Sequence, residues 1–255
     1  MPEGKTLQGR TLQGKTAVVT GGSRGIGRGI VERLCRDGAD VLFNYASSHA
    51  AAEDVVRSVG EGGGKVRALR LDLTAPDAAE HLMREAETEL GGLDILVNNA
   101  ATAFVPTPLA DVEPELFDRV LATDMRSVFV MLQYAARNMR DGGRIITIST
   151  LNTVRPAPGI APYAASKGAI EQLTFVAACE LGVRGITANV VSPGATDTDL
   201  LRGTNPPEAL EMAAKMSPLA RLGEPSDVAD VVAFLAGPDS RWLTGQNIRA
   251  TGGLG

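Results

Sequence analysis

The stretch "TAVVTGGSRGIGRGI" covers residues 16–30 and decides the fold. It opens with a short run rich in valine, turns through Gly21, Gly25 and Gly27, and continues into the helical pattern "GRGIVERLCRDG" (27–38). A strand, a glycine turn and a helix make the geometry that holds a dinucleotide pyrophosphate. The glycines let the backbone come close, and the helix N-terminus offers free N–H groups and the positive end of a dipole. Glycines also serve plain tight turns, so the triplet alone is weak. Its place after the first strand and before a helix gives it weight. The spacing is Gly-x-x-x-Gly-x-Gly, with Ser23, Arg24 and Ile26 between the glycines.

The same alternation continues outward. Further apolar runs are "DVLFNY" (40–45), "VRALRL" (66–71), "LDILVN" (93–98), "RIITIS" (144–149), "ITANVVS" (186–192) and "NIRA" (247–250). Most lack polar alternation, as strands buried on both faces should. Between them lie segments of helical period such as "AAEHLMREAETELGG" (78–92). Gly38, Gly91 and Gly182 mark helix ends. Unbroken strand-helix alternation predicts a parallel sheet with helices on both sides. No linker interrupts it, so residues 14–255 read as one domain. Residues 1–13, with "TLQGR" and "TLQGK" back to back, read as a mobile N-terminal extension.

Composition narrows the function. A net charge of -5 argues against a nucleic-acid surface. No apolar run is long enough to span a membrane, and the start lacks the apolar centre of a signal peptide. Cys35 and Cys179 match no metal-ligand spacing and point to a reducing, cytoplasmic setting. His49 and His81 sit in polar helical contexts and read as solvated surface. No metal site is expected.

The second strand selects the nucleotide. An NAD site usually has an acidic residue at that strand's end, to bond the ribose 2′-hydroxyl. Here the chain reads Asn44, Tyr45, Ala46, Ser47 and Ser48, with no carboxylate. Arg24 in the glycine turn can pair with a 2′-phosphate, and the serine hydroxyls can add hydrogen bonds. This predicts NADP(H). Further on, "YAASK" (163–167) sets Tyr163 four residues before Lys167, on one helix face. A free phenol, with a pKa near 10, is a poor acid or base at neutral pH, and a nearby ammonium lowers that value.

With these pieces in place the chain resembles the short-chain dehydrogenase/reductase family over nearly its whole length. The matching motifs stand in family order: "TGGSRGIG" (20–27), "LDL" (71–73), "NNA" (98–100), "YAASK", "SPG" (192–194) and "LGEPSDVA" (222–229). The resemblance implies an α/β fold: a single doubly wound Rossmann-type domain with a seven-stranded parallel sheet of order 3-2-1-4-5-6-7. It also implies hydride transfer between nicotinamide and a carbonyl or alcohol. Tyr163 would donate the proton, and Lys167 would bond the nicotinamide ribose. Asp72 and Leu73 would flank the adenine, with Asn99 and Ala100 along the adenosine ribose. Pro193, Gly194, Thr196 and Thr198 would hold the nicotinamide end. Asp72 could equally cap the following turn, and Asn98 could be a structural tie.

Three positions depart from the family pattern. Its catalytic serine falls thirteen residues before the tyrosine, which is Thr150 here. Threonine keeps the hydroxyl, and Ser149 should face the other way on a strand. Asp124 stands where the family has an asparagine that anchors a water in its proton relay. A carboxylate there is expected to raise the pKa of Lys167 and damp its effect on Tyr163. Ala101 replaces the glycine of "NNAG". The expectation is an NADPH-dependent ketone reductase with the set Asp124, Thr150, Tyr163 and Lys167. The altered set keeps open an NADP(H)-binding protein of weakened or non-redox activity. Residues 196–223 read as a substrate lid whose apolar side chains suit an apolar, aromatic or acyl-type ketone. The resemblance also implies a homo-oligomer, tetramer or dimer.

Overall fold

A computed structural model describes residues 11–62 and 64–255. Valine and isoleucine, whose branched side chains suit a pleated surface, build β1 (Thr16–Val19), β2 (Asp40–Tyr45), β4 (Ile95–Asn98), β5 (Arg144–Ile148) and β6 (Thr187–Pro193). These strands are buried on both faces along almost their whole length. With β3 (Lys65–Arg70) and β7 (Asn247–Ala250) they form one sheet, entirely parallel, in the order β3-β2-β1-β4-β5-β6-β7. The strand order and the parallel pairing agree with the expectation. The sequence runs fall within one or two residues of the strands. β3 differs in burial, because it is the edge strand: Val66 and Leu69 are half-buried, and Lys65, Arg67, Ala68 and Arg70 are exposed. Charged residues there leave the open edge unattractive to another strand.

Helices cover both faces. One core packs α1 (Gly25–Arg36), α2 (His49–Glu61) and α9 (Pro225–Ala236) onto the sheet through residues such as Ile30, Leu34, Val55 and Val232. The other packs α3 (Ala78–Leu90), α5 (Ser127–Asn138) and α6 (Ala161–Leu181) through Leu82, Met131 and Ile170. Between α4 (Pro114–Leu121) and α5 the helix opens into a π turn at Ala122–Arg126. After β6 come two short helices, α7 (Asp199–Thr204) and α8 (Pro207–Met216).

Helix ends follow the glycines with one exception. Gly38 and Gly91 take positive φ of 102° and 73°. Gly182 does not. There the helix tightens into a single 3-10 turn and the left-handed residue is Gly185, at 67°. Residues 1–10 of the expected extension lie outside the described residues. Leu12, at its far end, is fully buried against the first core, and its N–H donates to Asp37 O at 2.9 Å. The packed body therefore reaches back at least to Leu12.

In the order 3-2-1-4 the connections diverge beside β1. Open α/β sheets bind ligands outside the carboxyl ends of the strands at such a switch point. The glycine turn leaves β1 at that edge.

Candidate active site

The glycine turn is built so that side chains cannot enter it. Gly21 and Gly25 take φ of 67° and 54°, which L side chains rarely adopt. A Cβ on Gly27 would lie 2.1 Å from Gly21 O and 2.6 Å from Asn99 Nδ2. Gly22, which the sequence reading did not single out, is equally constrained: a Cβ there would lie 2.6 Å from Phe43. Ser23 is buried, Ile26 packs partly into the core, and Arg24 is exposed. Arg24 caps α1 in extended backbone with no side-chain cap. The first N–H groups of α1 thus find no acceptor on the side chain of their own cap. Such a cradle fits the pyrophosphate of a dinucleotide.

The end of β2 separates into two groups. Asn44 and Tyr45 are used internally. Asn44 Oδ1 accepts from Gly21 N at 3.1 Å, and its Nδ2 donates to Leu71 O at 2.9 Å. It braces the glycine turn against the end of β3. Tyr45 is buried, and its hydroxyl meets His49 Nδ1 at 2.6 Å. Ala46 and Ser47 are exposed and Ser48 is half-exposed. Among the described residues neither serine hydroxyl, nor the Arg24 guanidinium, has a hydrogen-bond partner. Arg70, which the sequence reading passed over, brings a second guanidinium here, with Nε donating to Ala46 O at 3.4 Å. Position alone, at the last residue of the neighbouring strand, was the available clue. Cationic and hydroxyl groups with no carboxylate at the strand end fit a 2′-phosphate.

Asp72 is exposed and closes a turn on Thr74, whose N–H and hydroxyl both donate to Oδ1 at 2.9 Å. Leu73 beside it is buried. Asn99 ties β4 to the turn, donating from Nδ2 to Thr20 O at 2.8 Å, while Asn99 N and Ala100 N both donate to Thr20 Oγ1. Asn98 reaches Thr147 Oγ1 at 3.4 Å, as a link between strands. Beyond β6, which ends at Pro193, Gly194 N donates to Ala250 O at 3.0 Å. Thr196 Oγ1 donates to Gly194 O at 3.1 Å. Thr198 caps α7 by accepting from Leu201 N, and its methyl would lie 3.2 Å from a Cβ on Gly25. Thr198 therefore meets the glycine turn from the other half of the sheet.

Tyr163 and Lys167 lie on one face of α6, with Nζ 5.7 Å from the tyrosine ring centroid. Lys167 is buried, and Nζ donates to Ile148 O at 2.9 Å. Thr150 lies two residues beyond β5 in extended backbone, with its hydroxyl beside the tyrosine. Ser149 bonds Glu171 instead, about two turns further along α6. Asp124 sits on the π turn and is fully buried. Such turns carry one residue more than an α turn and concentrate at functional sites. Its Oδ1 accepts from Thr102 N at 2.8 Å, while Oδ2 is buried without a partner. The fold thus brings Asp124, Thr150, Tyr163 and Lys167 into one cluster.

The electrostatics differ from the sequence expectation. Tyr163 is pushed up to about 12: burial raises it most, the Thr150 hydroxyl opposes the rise, and Asp124 adds to it. The lowering expected from the lysine is not realised, because desolvation of the ring dominates. Lys167 is itself shifted down by burial, against the pull of Asp124 and Glu171. Asp124 is shifted up by burial, against Lys167 and Thr102. The phenol therefore holds its proton throughout the neutral range.

The carboxylate of Asp124 raises the tyrosine pKa, so removing it must lower that pKa. Asp124→Asn is expected to move the alkaline limb of a reduction pH profile to lower pH. Turnover near neutrality should stay within about tenfold, or ~1.4 kcal/mol. A limb that stays in place would show that the carboxylate does not act on Tyr163.

The sequence reading also missed Phe104. Its ring centroid lies 5.7 Å from that of Tyr163, tilted by 36°. Its loop is held at Thr102 by Asp124 and at Thr107, whose N–H donates to Gly159 O at 2.9 Å. The loops after β4 and before α6 thus close one side of the tyrosine. A half-buried aromatic in an aperiodic loop carries no pattern that could have found it.

Comparison with known proteins agrees over nearly the whole chain. A family model described as enoyl-(acyl carrier protein) reductase matches residues 21–255. Versicolorin reductase 1 of Aspergillus parasiticus is 41% identical over 251 residues, 94% of this chain and 95% of that protein. A solved short-chain dehydrogenase/reductase from Serratia marcescens is 43% identical with a TM-score of 0.90, covering 96% of this chain and 99% of its own. The angucycline C-6 ketoreductase LanV, solved with bound NADP, is 41% identical with a TM-score of 0.89, covering 96% of each chain.

Proposed function

The chain belongs to the short-chain dehydrogenase/reductase family, and on that premise we propose that it is an NADPH-dependent reductase of ketones to secondary alcohols. When bound, the dinucleotide supplies the hydride. The chain's own groups do the rest. The glycine turn and the start of α1 hold the pyrophosphate, and Arg24, Ser47 and Ser48 hold the 2′-phosphate. Asp72 and Leu73 flank the adenine, and Asn99 and Ala100 line the ribose. Pro193, Gly194, Thr196 and Thr198 set the nicotinamide end, with Lys167 at its ribose. Thr150 holds the substrate oxygen, Tyr163 gives it a proton, and Asp124 stands behind Lys167 on the route by which that proton is replaced.

One observation carries this reading. A buried phenol that keeps its proton faces a second hydroxyl at the sheet edge onto which the glycine cradle opens. Following nicotinamide absorbance across a panel of ketones tests it. Tight NADPH binding with no turnover on any of them would favour the second reading, an NADP(H)-binding protein with weakened or non-redox activity. The unpartnered Oδ2 of Asp124, where the family has an amide, is what keeps that reading in view.

The nucleotide preference has its own test. Arg24→Ala should weaken NADPH by ~1.5–3 kcal/mol, the scale of a charge-assisted hydrogen bond, and leave NADH nearly unchanged. Equal affinities of the unmutated chain for both nucleotides would remove the argument.

Residues 196–223, with α7 and α8, serve as the substrate lid. Leu200, Met212 and Met216 on it are exposed, and Phe104 stands beside Tyr163, which supports an apolar, aromatic or acyl-type ketone. Phe117, Phe129 and Val176 are exposed on α4, α5 and α6. Their apolar area supports a homo-oligomer, tetramer or dimer, that covers this face with a second copy. Two unpaired cysteines support a cytoplasmic setting. No helix among the described residues is long and apolar enough to cross a membrane.

A further inference from the structure

Glu171 is a buried carboxylate without a part in the chemistry above. It lies on α6 one turn beyond Lys167, on the same face. Its Oε1 accepts from Ser149 Oγ at 2.5 Å and from Thr153 Oγ1 at 2.8 Å. These two residues bracket Thr150. One turn earlier, Lys167 Nζ holds Ile148 O at 2.9 Å. Two successive turns of α6 therefore grip the end of β5 at Ile148 and the turn that follows it at Ser149 and Thr153.

Thr150 needs such a grip. The last ladder bond of its segment is Ser149 N to Val191 O, at 2.8 Å. Beyond it the chain passes into the single turn Leu151–Thr153, where Val154 N and Arg155 N donate to Leu151 O at 3.1 and 3.0 Å but the bonds back to Thr150 are long. Thr153 N reaches Thr150 O at 3.4 Å, and Asn152 N reaches Thr150 Oγ1 at 3.2 Å. The bonds to Glu171 are shorter, at 2.5 and 2.8 Å. They are the firmest side-chain anchors on this turn. Ser149 and Thr150 are neighbours in the backbone, so holding Ser149 on Glu171 fixes the point from which Thr150 reaches Tyr163, about two turns earlier on the same helix. The hydroxyl of Thr150 accepts from Asn152, which leaves its proton free to donate.

We propose that Glu171 is a positioning residue that fixes the end of β5 through Ser149 and Thr153, and so sets the Thr150 hydroxyl against Tyr163. This rests on the reading of Thr150 as the group that holds the substrate oxygen. Acceptor geometry is what matters in this role, not charge.

The test compares Glu171→Gln with Glu171→Ala in the full chain, by steady-state reduction with NADPH and by threonine-methyl NMR. The Thr150 signal is assigned by its loss in Thr150→Ser. Glu171→Gln can still accept both hydroxyls and should keep kcat within about twofold. Glu171→Ala should lower kcat by about tenfold, with ketone KM and NADPH Kd nearly unchanged, and should displace the Thr150 signal. A general loss of structure would instead lower NADPH-binding capacity together with kcat. Should Glu171→Ala fail to fold, the double variant Ser149→Ala/Thr153→Val removes the same two bonds and should displace the signal in the same way. An unmoved Thr150 signal in these variants overturns the proposal. So does a loss in Glu171→Gln as large as in Glu171→Ala. If the unmutated chain reduces no ketone, the reading of the site falls, and the NMR comparison still decides whether Glu171 sets Thr150.

Discussion

Tyr163→Phe will lose ketone reduction by about 10²–10⁴-fold, the range of a missing general acid, while NADPH binding stays nearly intact. The substitution removes one oxygen and keeps the ring. The contact with Phe104 is ring to ring, so it survives. Lys167 is held by Ile148 O and does not depend on the phenol. The cradle residues lie on other elements and are untouched. The loss would therefore report the proton alone. Fluorescence titration with NADPH, beside steady-state turnover, separates the two quantities. Turnover comparable to the unmutated chain would remove Tyr163 from the mechanism.

Thr150→Val should cost nearly as much, on the order of 10²–10³-fold, as when one donor to a reacting oxygen is removed. Valine keeps the shape and loses the hydroxyl. It also loses the acceptor for Asn152 N, so the control matters. Thr150→Ser restores both bonds and removes only the methyl, and should keep or raise activity. Full activity in Thr150→Val would mean that another group holds the substrate oxygen. The cofactor assignment would survive that result, because none of those groups touches Thr150.

Much of this was legible in the sequence where the physics is local. A run such as "RIITIS" must be buried on both sides, and the strand appears where the run does. Tyr163 and Lys167 share a helix face because they are four residues apart. Gly21, Gly25 and Gly27 announce a turn that cannot carry side chains. What was not legible depends on partners distant in the chain. Nothing in "FNYASS" says that Asn44 and Tyr45 are used up inside while the serines stay open. That division follows from the contacts of Asn44 with Gly21 and Leu71, and of Tyr45 with His49. The direction of the tyrosine shift also escaped. Charge pairing can be guessed from spacing, but the loss of water around a ring cannot. Glu171 and Phe104 gain their meaning only once β5, α6 and the loop after β4 are side by side.

The π turn at Ala122–Arg126 has an effect on the outside of the molecule as well. An α-helix advances about 100° per residue, so Phe117 and Phe129 on an unbroken helix would point about 120° apart. One extra residue in the turn sets the phase back by about 100°, which leaves the two rings within about 20° of one another. Both are exposed. The same irregularity that aims a carboxylate inward thus lines two phenylalanines into one outward stripe. The inner aim and the outer alignment are a single property of the backbone, so the chemistry of the pocket and the apolar face on the far side of the helix share one local cause.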